Sequence, residues 1–462
     1  MFVKRILLDV LAVLTVLSAS CAPVRNPQPL IWNVGTLPEL QAAMTYARPG
    51  AEIIVRAGTY NGGPLIISAS GTAAQPITLR CETPLACTIN SGSARSLITS
   101  GNRGWWVVEG FRFISTMAVG GGVPEQSTVN FGYDFWGEGD TAERGNDGFV
   151  LRDCYVEGTV YIYGSDSLVE NCELNGKLLS NNGLSERGKP SERNVFRNNI
   201  IHDYTQRGGW SVRGTSDTLW EGNTIYNIAP GSRGNGIDCD GASIPTTNCR
   251  VRNNLIYDIG GDPGVLLENA FGSIVEGNII HHAGVGVGLI NYGVESDHTT
   301  EGGIEYRDDA ANIIIRNNII YSTSDGILCK GVRGGEISNN TIHGTTQTPG
   351  YWAAIALAQY KGWYCPQWII TGNIISQPAR TAIWLEGDSG SGTAINGNFY
   401  SGTFSADVAG SHMNYSQWQT LGWDGESKTG DPMFVNPSAG DFHLQANSPA
   451  CGMGALPCGG GP

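Results

Sequence analysis

Ten segments of the 462-residue chain close on one short phrase, an apolar β-rich run, a small polar pair and a second apolar run. They read LRDCYV, LVENCEL, VFRNNII, LWEGNTI, VRNNLI, IVEGNII, IIRNNII, ISNNTI, ITGNII and INGNFY. The second member of each polar pair is Cys154, Cys172, Asn199, Asn223, Asn254, Asn278, Asn318, Asn340, Asn373 and Asn398, at intervals of 18 to 40 residues. A short unit of this kind cannot bury its apolar face alone. It does so by stacking on its neighbours, and the irregular intervals are loops inserted into a fixed coil, so the chain is a solenoid.

Each unit holds short runs rich in Val and Ile, bounded by Gly, Asn, Asp or Ser, and none is long enough for a helix. Such runs predict strands that stack in parallel, coil on coil, roughly 4.8 Å apart. Asn marks turns in any β protein, but eight Asn markers in one strand context point to side-chain amides bonded along the stack, with Asn also supplying the left-handed corner. The pattern resembles the right-handed parallel β-helix with its Asn ladder, over about residues 50–405. The fold class is therefore all-β.

The two ends fit that architecture. Thr36, Leu37, Pro38 and Glu39 have the form of a capping box, and Leu37, Leu40, Ala43, Met44 and Ala47 recur at helical spacing before Pro49-Gly50. A short helix over 36–48 would cover the first coil, whose core and strand edges are otherwise open. The stretch PGAEIIVRAGTYNGGPLIISASGTAAQPITLRCE resembles the opening of β-helix polysaccharide lyases related to chondroitinase B and alginate lyase, and DPMFVNPSAGDFHLQANSPACGMG the closing segment of extracellular β-helix proteins. The expected organisation is an export signal over 1–21, a linker over 22–35, the capped β-helix over 36–405 and a closing segment over 406–462.

Lys4 and Arg5 followed by an apolar run to Leu17 read as an export signal, too short to span a bilayer. Cys21 after small residues resembles a bacterial lipobox, so the expected location is the cell envelope through a lipid on that sulfur, or the medium. Ten further cysteines suit export, and Cys81 with Cys87, Cys239 with Cys249, Cys329 with Cys365 and Cys451 with Cys458 are near neighbours, although spacing does not fix connectivity. Cys154 and Cys172 occupy the marker position and should stack, bonded or as thiols. The net charge of −14 and the lack of a basic cluster argue against nucleic acid as a partner. An acidic chain that meets an acidic polymer needs a local cation. A monomer is expected, touching a membrane only through the N-terminal lipid.

Counting ten residues back from three markers reaches Arg213, Glu268 and Lys330, each closing a short strand: WSVRG, VLLEN and ILCKG. Period-2 alternation then directs Val212, Leu267 and Cys329 inward and the charged residues outward. Coils between them offer Asp238, Asp240 and Asn291, and a later one offers Glu386 with Gln359 and Lys361 nearby. Carboxylate and amide oxygens on neighbouring coils suit a hard cation such as calcium, which takes six to eight oxygen ligands. The expected ligands are Asp238, Asp240, Glu268 and Asn291. This row resembles the calcium-assisted lyases of the chondroitinase B group, whose ligands neighbour a catalytic Lys and Arg. The resemblance implies β-elimination in a uronate polymer, with Lys330 as base and Arg333 or Arg213 holding charge. An outward Lys beside a Glu is equally often a solvated ion pair.

Two insertions border the row. The stretch GVESDHTTEGGIEYRDDAAN carries His298, a candidate acid or base, and Arg307. The stretch STVNFGYDFWGEGDTAERGND carries Phe131, Tyr133, Phe135 and Trp136, which can stack on sugars or pack the loop onto the coils. Glu386, Lys361, Arg307 and Trp136 are the expected substrate contacts. A glycoside hydrolase using paired carboxylates, and a surface β-helix that binds glycan without catalysis, are the alternatives to the lyase.

Overall fold

The structure, a computed structural model, describes residues 30–100, 103–116, 127–131, 147–181, 191–205, 207–212, 214–230, 234–241, 245–291, 311–346, 351 and 353–459. The Val- and Ile-rich runs form three long sheets of 14 strands each, wound as a right-handed parallel β-helix. One coil illustrates the order: Leu219–Glu221 lies in the first sheet, Thr224–Ile228 in the second and Ile237–Asp240 in the third. Pairing is parallel throughout the three sheets except for the last pair of the third, Ala406–Val408 with Ser411–Met413. Along most of these strands alternate residues point into an interior that holds Trp106, Trp220, Trp368, Phe111, Phe113 and Phe196, all fully buried.

The corner between the first and second sheets carries the predicted ladder. Asn199, Asn223, Asn254, Asn278, Asn318, Asn340, Asn373 and Asn398 stack in one row, each Nδ2 donating to the Oδ1 of the next at 2.9–3.0 Å. The backbone N of each of the first seven donates to the same oxygen, and that of Asn398 donates to Ser427 Oγ at 2.8 Å. One detail differs from the expectation. The left-handed residue is the first of the polar pair, as at Asn198 (φ 55), Gly222 (φ 65) and Gly277 (φ 67), and the ladder Asn follows it. The division is physical, because the corner needs a left-handed backbone while the ladder needs an amide aimed along the stack. Cys154 and Cys172 continue the row as buried free thiols, and the other four cysteine pairs are disulfides.

The outer face of the first sheet has a second ladder, of charge. Arg80, Glu109, Arg152, Glu170, Arg197, Glu221, Arg252, Glu276 and Arg316 lie in register on successive coils and alternate in sign. Arg152 Nε reaches Glu109 at 2.7 Å, Arg197 Nε reaches Glu170 at 2.8 Å and Arg316 Nε reaches Glu276 at 2.9 Å.

Both ends are closed. The helix Leu37–Tyr46 begins in a capping box between Thr36 and Glu39 and buries Leu40, Ala43 and Met44 on the first coils. A strand, Ile31–Val34, precedes it within the stretch read as linker and pairs with Glu52–Val55. At the far end, Phe434, Phe442 and Leu444 lie over Ile319, Ile374 and Phe399 on the outside of the second sheet. Asp424 closes the Asn ladder, accepting from Asn398 Nδ2 at 3.3 Å and from the Tyr400 hydroxyl at 2.7 Å.

Candidate catalytic and cation-binding face

Strand register sets out the third sheet's outer face. One row runs Val212, Asp240, Glu268, Ile290, Lys330 and Ala358, and the row beside it runs Trp210, Asp238, Leu266, Gly288, Leu328 and Ala356. Val212 therefore faces outward with Asp240, and Ser211 takes the inward place beside Cys239. The expectation for Val212 assumed that the strand alternates through residue 213, whereas the strand is Gly209–Val212. Ile290 occupies the place beside Glu268, and Asn291 lies one residue beyond, its backbone N donating to Lys330 O at 3.0 Å.

Asp238, Asp240 and Glu268 converge. All three are buried, and one oxygen of each lies within 4.8 Å of the others. Asp238 and Asp240 share a strand two residues apart and so face the same way, while Glu268 sits directly beside Asp240 on the next coil. Burial, reinforced by the Asp238 and Asp240 charges, pushes the Glu268 carboxyl up to about 9. Burial also raises Asp238 to about 6, against the pull of Arg207.

Sequence reasoning missed four residues around this triad. Arg207, itself buried, hydrogen-bonds Asp238 through Nε and approaches Asp240 to 3.6 Å through Nη2. Trp210 Nε1 donates to Asp240 at 3.1 Å, and Asn235 Nδ2 donates to Asp238 at 3.1 Å. The Arg207 guanidinium lies 4.1 Å over the Trp210 ring, and Lys177 Nζ lies 5.4 Å from the same ring. Lys177 had a readable signal. The equivalent position in later coils is Gly208, Gly236, Gly264, Gly286 and Gly326, so lysine is the exception in a glycine row.

Lys330, Arg333, Lys361 and Glu386 lie on later coils than the triad. Lys330 ends its strand two coils from Glu268 and is partly buried. Arg333 Nε donates to Gln367 at 2.9 Å. Glu386 accepts from the backbone N of Gln359 at 2.9 Å, and Lys361 is exposed with its amine 5.3 Å from the Tyr360 ring. Phe131 is in the core, stacked on Phe149 at 4.4 Å. Arg213, His298, Arg307, Trp136 and Cys21 lie outside the described residues.

The donor set fits a hard cation. Asp238 Oδ1 is fully buried and accepts no hydrogen bond among the described residues, an arrangement that costs several kcal/mol for a carboxylate unless a cation or proton occupies it. Three carboxylates, all oxygen donors, suit calcium or a similar ion in preference to zinc or copper. Asp238, Asp240 and Glu268 would hold it.

The family model for the right handed beta helix region matches residues 143–300 and 293–417. Among solved structures, the PL6 family alginate lyase AlyGC superposes with a TM-score of 0.60 at 17% identity, over 87% of this chain and 54% of that one. A mutant of the same lyase gives 0.57 at 18% identity, over 90% and 55%. The PL6 family polysaccharide lyase Pedsa3628 from Pseudopedobacter saltans gives 0.49 at 16%, over 89% and 95%. The chain thus spans about half the length of the first two, and likeness at this identity establishes a shared fold. No curated protein matches the sequence.

Proposed function

Since the chain belongs to the right-handed β-helix family, whose outer faces align side chains from successive coils, we propose that it is an exported polysaccharide lyase that cleaves a uronate-containing polymer by cation-assisted β-elimination. The observation that carries this reading is the buried Asp238, Asp240 and Glu268 triad with its unsatisfied Asp238 oxygen, in line with Lys330 on one outward face. The four disulfides support export, and a lipid on Cys21 is the proposed tether.

The chemical need is specific. The C5 proton of a uronate is weakly acidic while its carboxylate keeps full charge, so that charge must be neutralised before a base can act. A cation held by the triad supplies positive charge at the carboxylate. Lys330, two coils and so roughly 10 Å along the face, takes the C5 proton on its amine. Arg333 and Arg213 hold charge at the carboxylate or leaving-group side, and His298 donates to the leaving oxygen. Glu386, Lys361, Arg307 and Trp136 contact sugars farther along.

Digestion of a panel of uronate polymers, with and without chelator, tests the reading by following ultraviolet absorbance of the unsaturated product separately from new reducing ends. Both signals should rise together and fall with chelator. Reducing ends without absorbance would replace the lyase by a hydrolase. One feature favours that second reading: burial beside Asp238 and Asp240 raises the Glu268 carboxyl, in the sense a general acid requires. The carboxylate oxygens, within 4.8 Å of one another, are too close for the roughly 6.5–9.5 Å of an inverting hydrolase and nearer the roughly 5–5.5 Å of a retaining one.

A further inference from the structure

Beside the triad lie two buried cations with donors left over. Lys177 is 1% exposed, and its amine has no hydrogen-bond partner among the described residues. Among the described residues it has two long ring contacts, at 5.7 Å to Tyr204 and 5.4 Å to Trp210. Arg207 is 3% exposed, and although its Nε serves Asp238, its Nη2 also has no hydrogen bond among the described residues and lies 3.6 Å from Asp240. A buried ammonium facing no carboxylate is costly, and a second cation nearby adds repulsion. Burial, with the Arg207 charge adding to it, lowers the Lys177 amine to about 8. Such a pair is stable in its charged form when an anion lies between the two.

We infer that Lys177, Arg207 and Trp210 form a carboxylate-binding subsite, which takes a uronate residue of the polymer next to the one acted on at the triad. Three features fit this ligand. The two leftover donors are cationic and so select a carboxylate over a hydroxyl. Trp210, partly exposed, gives the subsite its opening and offers an aromatic face to the sugar ring. Trp210 is the direct neighbour of Asp238 in the strand register, so Trp210 and Arg207 lie one coil and Lys177 two coils, roughly 4.8 and 10 Å, before the triad. The four-carbon stem of Lys177 lets its amine turn from the rings toward the incoming carboxylate. The inference rests on the uronate reading of the same face and adds to it where the polymer enters.

Calorimetric titration with saturated uronate tetramers, and with the same tetramers reduced at their carboxyl groups, tests the subsite in the intact protein. Wild type should bind the acidic tetramer at least about tenfold more tightly than the neutral one, as charge-assisted hydrogen bonds require. Lys177→Met should lose most of that preference while leaving calcium affinity unchanged, and Lys177→Arg should retain part of it. Should Lys177→Met not fold, as judged by its melting transition, Lys177→Gln and the wild-type preference decide. An unchanged preference in a folded Lys177 variant, or no preference in wild type, overturns the subsite. A Lys177-dependent preference in a protein that forms no unsaturated product keeps the subsite and removes the lyase. Elimination activity with an unaltered preference does the reverse.

Discussion

Residues in this protein act through what their equivalents one coil away permit. An interior ladder amide such as Asn278 accepts from Asn254 and donates to Asn318 and to the Val251 carbonyl. Asn278→Ala leaves those buried groups unpaired, and its urea or thermal unfolding should report a loss on the order of 1–3 kcal/mol. The same logic gives Lys330 a sharper test. Lys330→Ala should abolish the unsaturated product and leave polymer binding nearly intact, and Lys330→Arg should fail almost as badly, because a guanidinium does not give up its proton near neutral pH. Full activity in both variants would remove Lys330 as the base. The ladder was legible in the sequence because identical residues recur in identical context. The surroundings of the triad were less so. Asp238, Asp240 and Glu268 stood out as oxygen donors near strand ends, but Arg207 and Asn235 lie in corners of differing length, where counting from a marker loses register. Asn291 shows the same limit from the other side, since a one-residue error moved Ile290 out of the row.

At the scale of elements, two corners show why glycine follows Asn in the position before the ladder, Gly222 after Asn198 and Gly277 after Asn253. A Cβ on Gly277 would meet the Asn253 side-chain oxygen at 2.4 Å, and one on Gly222 would meet that of Asn198 at 2.6 Å, with both glycines at positive φ. At these two corners the Asn on the preceding coil crowds any Cβ, whereas Asn317 is followed by Asn339 farther along the row. Gly277→Ala combines the collision with an unfavourable left-handed backbone, and differential calorimetry should show a cost on the order of 1–3 kcal/mol. The change Gly392→Ala also falls at positive φ, yet its nearest contact is the flexible Gln367 side chain at 3.1 Å, so it should cost less. Equal losses at the two sites would mean that backbone strain alone matters. The strands themselves were readable from Val and Ile runs. The aromatic stack His202, Tyr226, Tyr257, His281 and Tyr321 on the second sheet, spaced at 4.6–5.1 Å, was not, because each ring looks isolated until the coils are aligned.

For the whole molecule, the buried acids make stability depend on pH. Glu268 is raised from 4.5 to about 9 and Asp238 from 3.8 to about 6, so the folded state holds these protons more tightly than the unfolded chain. Their stabilising contribution is complete below about 4 and is lost as pH rises toward about 9. The melting temperature of chelator-treated protein should accordingly fall across that window, and Glu268→Gln should flatten the fall. Added calcium should raise the melting temperature most at the alkaline end, where the carboxylates are free of protons. A flat profile with no response to calcium would remove the cation from the site. The alternating Arg and Glu residues on the first sheet carry one further implication, about how such a molecule changes length. Each exposed pair contributes little, about 0–1 kcal/mol, but like charges in register repel. Excising one coil, residues 155–172, would seat Arg152 beside Arg197, whereas excising two, residues 155–199, would seat it beside Glu221. The solenoid thus has a parity: over this stretch it can grow or shrink smoothly by even numbers of turns and only with friction by odd ones.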